Sequence, residues 1–206
     1  MKSLLTACVF LVAGPCLAQS NTYKLDSKAV QINAPKHWPI QSRGFPNLQN
    51  SALTDEIIFF PLPTPDLGHN GAGDFILRIY RGGRATDLKK RLKEIKATPR
   101  ANVDSETTLG DLGVAMSGTL ALPRRAPHSV FDVFILDGTR VLHFSCSIPI
   151  LGKHEAAWRK ELVQTISDTI NSCKIGGKAV NGIQITEDQE GKLSFSLLKP
   201  NKQPSP

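Results

Sequence analysis

Two apolar-rich runs, Val130 to Leu136 and Arg140 to Ile148, meet at Asp137-Gly138, and this arrangement limits the fold more than any other feature of the 206-residue chain. Asp-Gly between β-branched and aromatic runs is a strong short-range signal for a β-hairpin with a two-residue loop. On that reading Leu136 faces Thr139, and the register places Asp132 opposite His143. Because side chains alternate along a strand, Leu142, Phe144, Cys146 and Ile148 share one face of the second strand.

A helix over about Glu155 to Cys173 supplies a matching surface. Trp158, Leu162, Ile166 and Ile170 form a stripe at i, i+4 spacing, and Cys173 extends it. Both cysteines therefore lie on the apolar faces of their elements. A bond between Cys146 and Cys173 clamps the helix onto the sheet and contributes about 3.5 kcal/mol in the chain-entropy model. The other reading is two free buried thiols. A redox pair is closer in sequence as a rule, as in Cys-x-x-Cys, which the chain lacks.

The compartment rests on residues 1–18. Met1 and Lys2 give a basic start, Leu4 to Val12 an apolar stretch, Gly14-Pro15 a break, and Cys16-Leu17-Ala18 a small-residue end before Gln19. This is the pattern of a cleaved secretory signal. Lipidation needs a small residue directly before the cysteine, and Cys16 follows Pro15. No later run approaches the roughly 18 apolar residues of a membrane span, so the expected product is a periplasmic or secreted protein without a transmembrane segment. Its two remaining cysteines, Cys146 and Cys173, suit an oxidising compartment.

Other elements follow the same logic. Ala29 to Ala34 and Glu56 to Phe60 read as strands, and Pro61, Pro63, Pro65, Gly68, Gly71 and Gly73 punctuate a loop. Asp74 to Tyr80 alternates, with Phe75, Leu77 and Ile79 on one face. Leu88, Leu92 and Ile95 give a helix that Pro99 ends, and Glu106–Leu109 and Leu112–Leu122 flank a turn at Gly110-Asp111. Gly176-Gly177 reads as the end of the main domain. Gly182–Thr186 and Lys192–Leu198 then pair as a hairpin beyond it. The division is a cleaved signal over 1–18, one domain over 19–175, an appended hairpin over 176–199 and a disordered tail over 200–206.

The segment Ala34-Pro35-Lys36-His37-Trp38, where a short strand runs into a proline-tryptophan stretch, resembles the PsbP-like and DcrB-like α+β domains. The order that follows is similar too: strands, a helix, a meander and a terminal helix, over roughly Tyr23 to Ile175. The resemblance implies an α+β fold in which an antiparallel β-sheet is covered by two helices, here with the appended C-terminal β-hairpin outside it. It implies a binding or assembly role and transfers no catalytic residue.

Charge is the least ordinary feature. Between Arg78 and Arg100 nine cations (Arg78, Arg81, Arg84, Lys89, Lys90, Arg91, Lys93, Lys96 and Arg100) face only Asp87 and Glu94, an excess equal to the formal +7 of the whole chain. Arg81, Arg84, Lys89, Lys90, Lys93 and Lys96 are the candidate binding residues. The partner they suit is an acidic protein or an anionic envelope component. Nucleic acid is not expected: only 6% of residues are aromatic, so stacking platforms are few, and the compartment is wrong. The plainer reading is a solvated helix face.

A catalytic alternative uses Asp132, His143 and Ser145, an aspartate orienting a histidine beside a serine. Against it, Ser145 and His143 stand two apart on one strand, roughly 6 to 7 Å, and no Gly-x-Ser-x-Gly elbow is present. A surface ion pair is the plainer reading. His37, His69, His128, His143 and His154 lack metal-ligand spacing, so no metal and no cofactor is expected. Trp38 is a core plug or a recognition aromatic, with core favoured. The function expected is a non-enzymatic exported binding protein, with an immunity-type inhibitor of a periplasmic toxin as its sharper form. An envelope assembly factor or a periplasmic hydrolase is the alternative. Oligomeric state is open.

Overall fold

The computed structural model describes residues 19–42, 53–61, 74–83, 85–97, 102–120, 127–150 and 156–198. The expected signal over 1–18, the tail over 200–206, most of the Pro/Gly loop, Arg84, Arg100, His69 and His154 lie outside them.

The Asp137-Gly138 hairpin forms the centre of a seven-stranded antiparallel sheet. Its strands are β3 (Ile40–Ser42), β4 (Leu53–Phe59), β5 (Phe75–Gly83), β6 (Asn102–Thr108), β7 (Gly113–Leu120), β8 (His128–Leu136) and β9 (Gly138–Pro149). They lie in the order β3-β4-β5-β9-β8-β7-β6. Alternation fixes the faces as the sequence suggests: Phe75, Leu77, Ile79, Leu142, Phe144, Cys146 and Ile148 all point into the main core. The hairpin register differs from the expected one. Leu136 faces Val141 and Asp132 faces Ser145, so the loop residues are Gly138 and Thr139. Of these only Gly138 has positive φ, +85°, which suits a turn whose first loop residue must be glycine. Asp137 instead caps the loop, its carboxylate accepting the Thr139 and Arg140 amide hydrogens at 2.8 and 2.5 Å. The slip is two residues, an even number, so no side chain changes face.

The expectation of one sheet covered by two helices, with a hairpin outside it, is incorrect. The described residues form three sheets. On the main-core face lies α2 (Ala156–Asn171), whose Leu162, Val163, Ile166 and Ile170 are buried. Beside it lies a second sheet built from β1 (Ser20–Leu25), β2 (Val30–Pro35), β10 (Lys174–Ile175) and β11 (Lys178–Ala179). The third sheet is β12 (Ile183–Glu187) paired with β13 (Leu193–Leu197). Its Ile183, Ile185, Leu193 and Phe195 belong to the main core.

Two physical reasons account for the difference. First, β1 is polar and largely exposed, so it carries almost no periodic signal; its pairing with β2 defines it. Second, Gly176 and Gly177, both at positive φ, form the loop of a two-residue hairpin joining β10 to β11 and do not end the fold. β10 then pairs with β2 and ties the chain after α2 back to its beginning.

The opposite face of the large sheet carries α1 (Ala85–Lys96). Leu88 and Leu92, one turn apart, bury against Met116, Phe134 and Val141. Asp87 in its first turn and Lys93 and Lys96 in its last suit the helix dipole. At the far end of the main core, Trp38, Phe59, Phe75 and Phe144 form a run of ring contacts with centroids 5.8 to 6.2 Å apart. Trp38 is buried, the core role that was favoured.

Candidate functional site

The sheet face beneath α1 holds the three catalytic candidates, Asp132, His143 and Ser145. Glu56 on β4, Arg78 on β5 and His143 on β9 are successive cross-strand neighbours. Arg78 Nε donates to Glu56 Oε2 at 2.6 Å, with Glu56 buried. His143 Nε2 and Asp132 Oδ1 are 2.6 Å apart, a diagonal contact across β8 and β9 within reach of long side chains. The expected Asp132–His143 contact therefore exists, although Asp132 sits directly opposite Ser145.

The surroundings of His143 are aromatic. Its ring stacks on Phe134 at 4.4 Å and 10°, with Tyr80 at 6.4 Å. Its side chain is 7% exposed. Among the described residues no hydrogen bond joins Ser145 Oγ to the imidazole. A nucleophile relay needs the base to hold the serine with one nitrogen and the aspartate with the other. Here one of those two contacts is made. The buried ring also offers a substrate little access, so the arrangement reads as a polar rivet between strands.

The cations separate into two groups. Arg78 turns inward to Glu56, and Lys96 Nζ pairs with Glu106 at 2.5 Å. Lys89, Lys90 and Lys93 are exposed on α1, and Arg81 is exposed on β5 just before it. Arg140 adds nothing to this surface, because Asp26 and Asp137 both bind its guanidinium. Three of the six candidate binding residues thus share one helical surface, anchored from below by Leu88 and Leu92.

Cys146 and Cys173 are both buried and both unbonded. They share the apolar layer, as expected, but not a place along it. Arg159, near the start of α2, reaches the carbonyl oxygen of Ile148, two residues from Cys146, whereas Cys173 follows the other end of the helix. At 1.5 Å per residue, Arg159 and Asn171 alone are about 18 Å apart along the axis. A shared face is therefore not a shared contact, and no disulfide clamps α2 here. Burial pushes both thiols up, that of Cys173 to about 12. A buried thiol contributes its full stability below the ordinary thiol pKa and loses it as pH rises toward the raised value. We expect dithiothreitol to leave the melting temperature unchanged at pH 7, and a thiol reagent to label both cysteines only after denaturation. A melting point that falls on reduction would restore the clamp.

The main polar feature not anticipated is Arg159. Its buried guanidinium donates to Glu187 Oε1, to the carbonyls of Ile148, Pro149 and Gly191, and to Ser129 Oγ. Arg159, Val163, Ile166 and Ile170 in fact follow one helical stripe. A charge within such a stripe is the signal that sequence reasoning passed over. Beside it, a cleft of about 810 Å³ runs between α2 and β12, with Lys160, Gln164, Ile185 and Glu190 among its lining residues. Among the described residues no group of His, Cys, Asp and Glu could hold a metal ion.

No family model and no curated protein matches the chain. Among solved structures it is similar to cyanobacterial PsbP (CyanoP) from Synechocystis sp. PCC 6803, with 13% identity over 83% of this chain and 98% of that one and a TM-score of 0.45. The likeness is to PsbP-like domains. LpqN, involved in cell envelope biogenesis of Mycobacterium tuberculosis, shows 16% identity over 76% of this chain and 90% of that one, with a TM-score of 0.42. A protein from Bacteroides thetaiotaomicron VPI-5482 shows 13% identity and a TM-score of 0.40 over 83% of this chain. The chain spans about half of that protein, 54% of its length. The PsbP-like resemblance concerns architecture, and no residue role is taken from these proteins. Among the described residues no helix is long and apolar enough to cross a membrane.

Proposed function

We propose that this chain is an exported, non-enzymatic binding protein of the bacterial cell envelope that engages an acidic macromolecular partner or anionic surface through α1. The observation that carries the reading is the display of Lys89, Lys90 and Lys93 toward solvent on a helix whose other side is fixed by Leu88 and Leu92. Fixed cations need less ordering on association than cations on a free loop. They also raise the encounter rate with an anionic partner, an effect that fades over a Debye length of roughly 8 Å at physiological salt. An immunity-type inhibitor is the sharper form of this role; the alternative, an envelope assembly factor, would engage its complex through the sheet face or the C-terminal hairpin.

Charge reversal of Lys89, Lys90 and Lys93 tests it. Each lysine near an anionic surface is worth about 1 kcal/mol, so affinity for phosphatidylglycerol vesicles should fall by about a hundredfold or more. Capture of acidic proteins from envelope extract should fall in parallel and lose its salt dependence. Loss in only one assay assigns the partner to that class. Unchanged binding in both would remove α1 from the account.

A further inference from the structure

The outer strand of the large sheet, β6, offers an open edge. Its backbone phase follows from one contact: the Leu109 amide donates to the Gly113 carbonyl at 2.9 Å. Counting back by two, Thr107 and Ser105 also exchange their hydrogen bonds with β7, so the N–H and C=O groups of Glu106 and Thr108 point away from the sheet. Among the described residues no strand pairs on that side. Nor is the edge covered, since Val103, Asp104, Glu106 and Thr108 are exposed and Ser105 and Thr107 are half-buried.

Sheet edges are ordinarily blunted by brevity, lysine or proline. The opposite edge follows that rule, because β3 has three residues. β6 has seven, none of them lysine or proline. A bulge between Val103 and Ser105 confines regular pairing to the residues after it. The two acids on the strand are already matched within the chain: Asp104 accepts from Thr119 Oγ1 at 3.1 Å, and Glu106 meets Lys96 at 2.5 Å. Two of the four large apolar side chains that stand exposed among the described residues, Val103 and Leu197, flank this edge. Val103 lies near its start, and Leu197 packs against Gly110 just beyond its end.

Register decides what fits there. When two copies of β6 run antiparallel about a two-fold axis, Thr107 can face Thr107 on the axis, with Glu106 of each copy facing Thr108 of the other. Both outward residues then exchange ladder bonds, and the two glutamates stay on a diagonal roughly 7 Å apart. Centring the pair on Glu106 would set like charges face to face, and centring it on Thr108 would run into the Gly110 turn. The strand is thus complementary to itself in one register, as an isologous interface requires.

We infer that the chain forms a two-fold dimer through β6, with Glu106 of each copy opposite Thr108 of the other. The pairing joins the two large sheets into one and sets both α1 helices on the same face of it, which makes the cationic surface bivalent.

Sedimentation equilibrium of the full chain tests this. A ladder this short associates weakly, with a dissociation constant on the order of 10 µM, so the mean mass should climb toward twice that of the monomer between about 1 and 300 µM. Thr108→Pro removes an outward N–H and no bond to β7, so it should weaken the dimer about tenfold or more while the melting temperature holds. Thr108→Glu sets like charges opposite each other twice in the symmetric ladder and should weaken it by a similar factor, whereas Thr108→Lys should not weaken it. The variant reversed at Lys89, Lys90 and Lys93 should dimerise as the unmodified chain does. A monomer at the highest concentration, a dimer indifferent to Thr108→Pro, or one weakened equally by Thr108→Glu and Thr108→Lys would overturn the inference.

Discussion

A chain ended after Val180, lacking β12 and β13, should not fold cooperatively. The two strands bury Ile183 at 1%, Ile185 at 6%, Leu193 at 1% and Phe195 at 7% exposure. Burying such a side chain contributes about 1.5 to 3 kcal/mol, so the four together contribute about 6 to 12 kcal/mol. A domain has only about 5 to 15 kcal/mol of net stability to lose. The cut also strips partners from groups that remain. Ser117 Oγ would lose the Leu193 carbonyl, Asn171 would lose Ile183, and Phe131 would lose the edge contact of Phe195 at 5.4 Å. The thermal transition followed by circular dichroism should broaden or vanish, and amide resonances should collapse toward random-coil shifts. A truncated chain that still melts cooperatively within a few degrees of the full one would show that the strands are an appendage after all.

That expectation marks where sequence reasoning reached and where it stopped. The alternation of Phe75, Leu77 and Ile79 and of Leu142, Phe144, Cys146 and Ile148 was legible because strand period depends only on covalent geometry. The stripe on α2 was legible for the same reason. Register along those elements was not. The hairpin position could be read from Asp137-Gly138, but which two residues form the loop depends on Asp137 capping the turn by accepting the Thr139 and Arg140 amides, which the Asp-Gly pair alone does not specify. The cysteines show the same limit: their faces were correct, yet contact also requires a common position along the helix axis. In the C-terminal strands, apolar residues at 183 and 185 and at 193 and 195 gave an amphipathic pair, which alone implies a surface to cover. Gly176-Gly177 obscured this by resembling a boundary. Of the candidate site, the Asp132–His143 contact was visible in the sequence. The aromatic burial of His143 and the loss of Arg78 to Glu56 were not, because both depend on cross-strand neighbours.

Arg159→Ala should lower the unfolding free energy by about 3 to 5 kcal/mol, the cost of breaking a buried ion pair by removing one partner. The side chains of Arg159 and Glu187 are 5% and 14% exposed, so water screens the contact little. Arg159 also satisfies three carbonyls, those of Ile148, Pro149 and Gly191, and an unmet buried acceptor costs about 1 to 3 kcal/mol. These acceptors come from the end of β9 and from the β12–β13 turn, and Ser129 adds β8, so one side chain joins α2 to strands distant in sequence. Arg159→Lys should recover little, since a single ammonium cannot reproduce the fork that serves several acceptors at once. Pairing Arg159→Met with Glu187→Leu removes both charges. That double variant should be more stable than Arg159→Ala, because no carboxylate is left stranded. Urea unfolding followed by tryptophan fluorescence measures all three. A loss below about 1 kcal/mol for Arg159→Ala would place the pair with exposed salt bridges and show that Arg159 does little to hold the C-terminal sheet to α2.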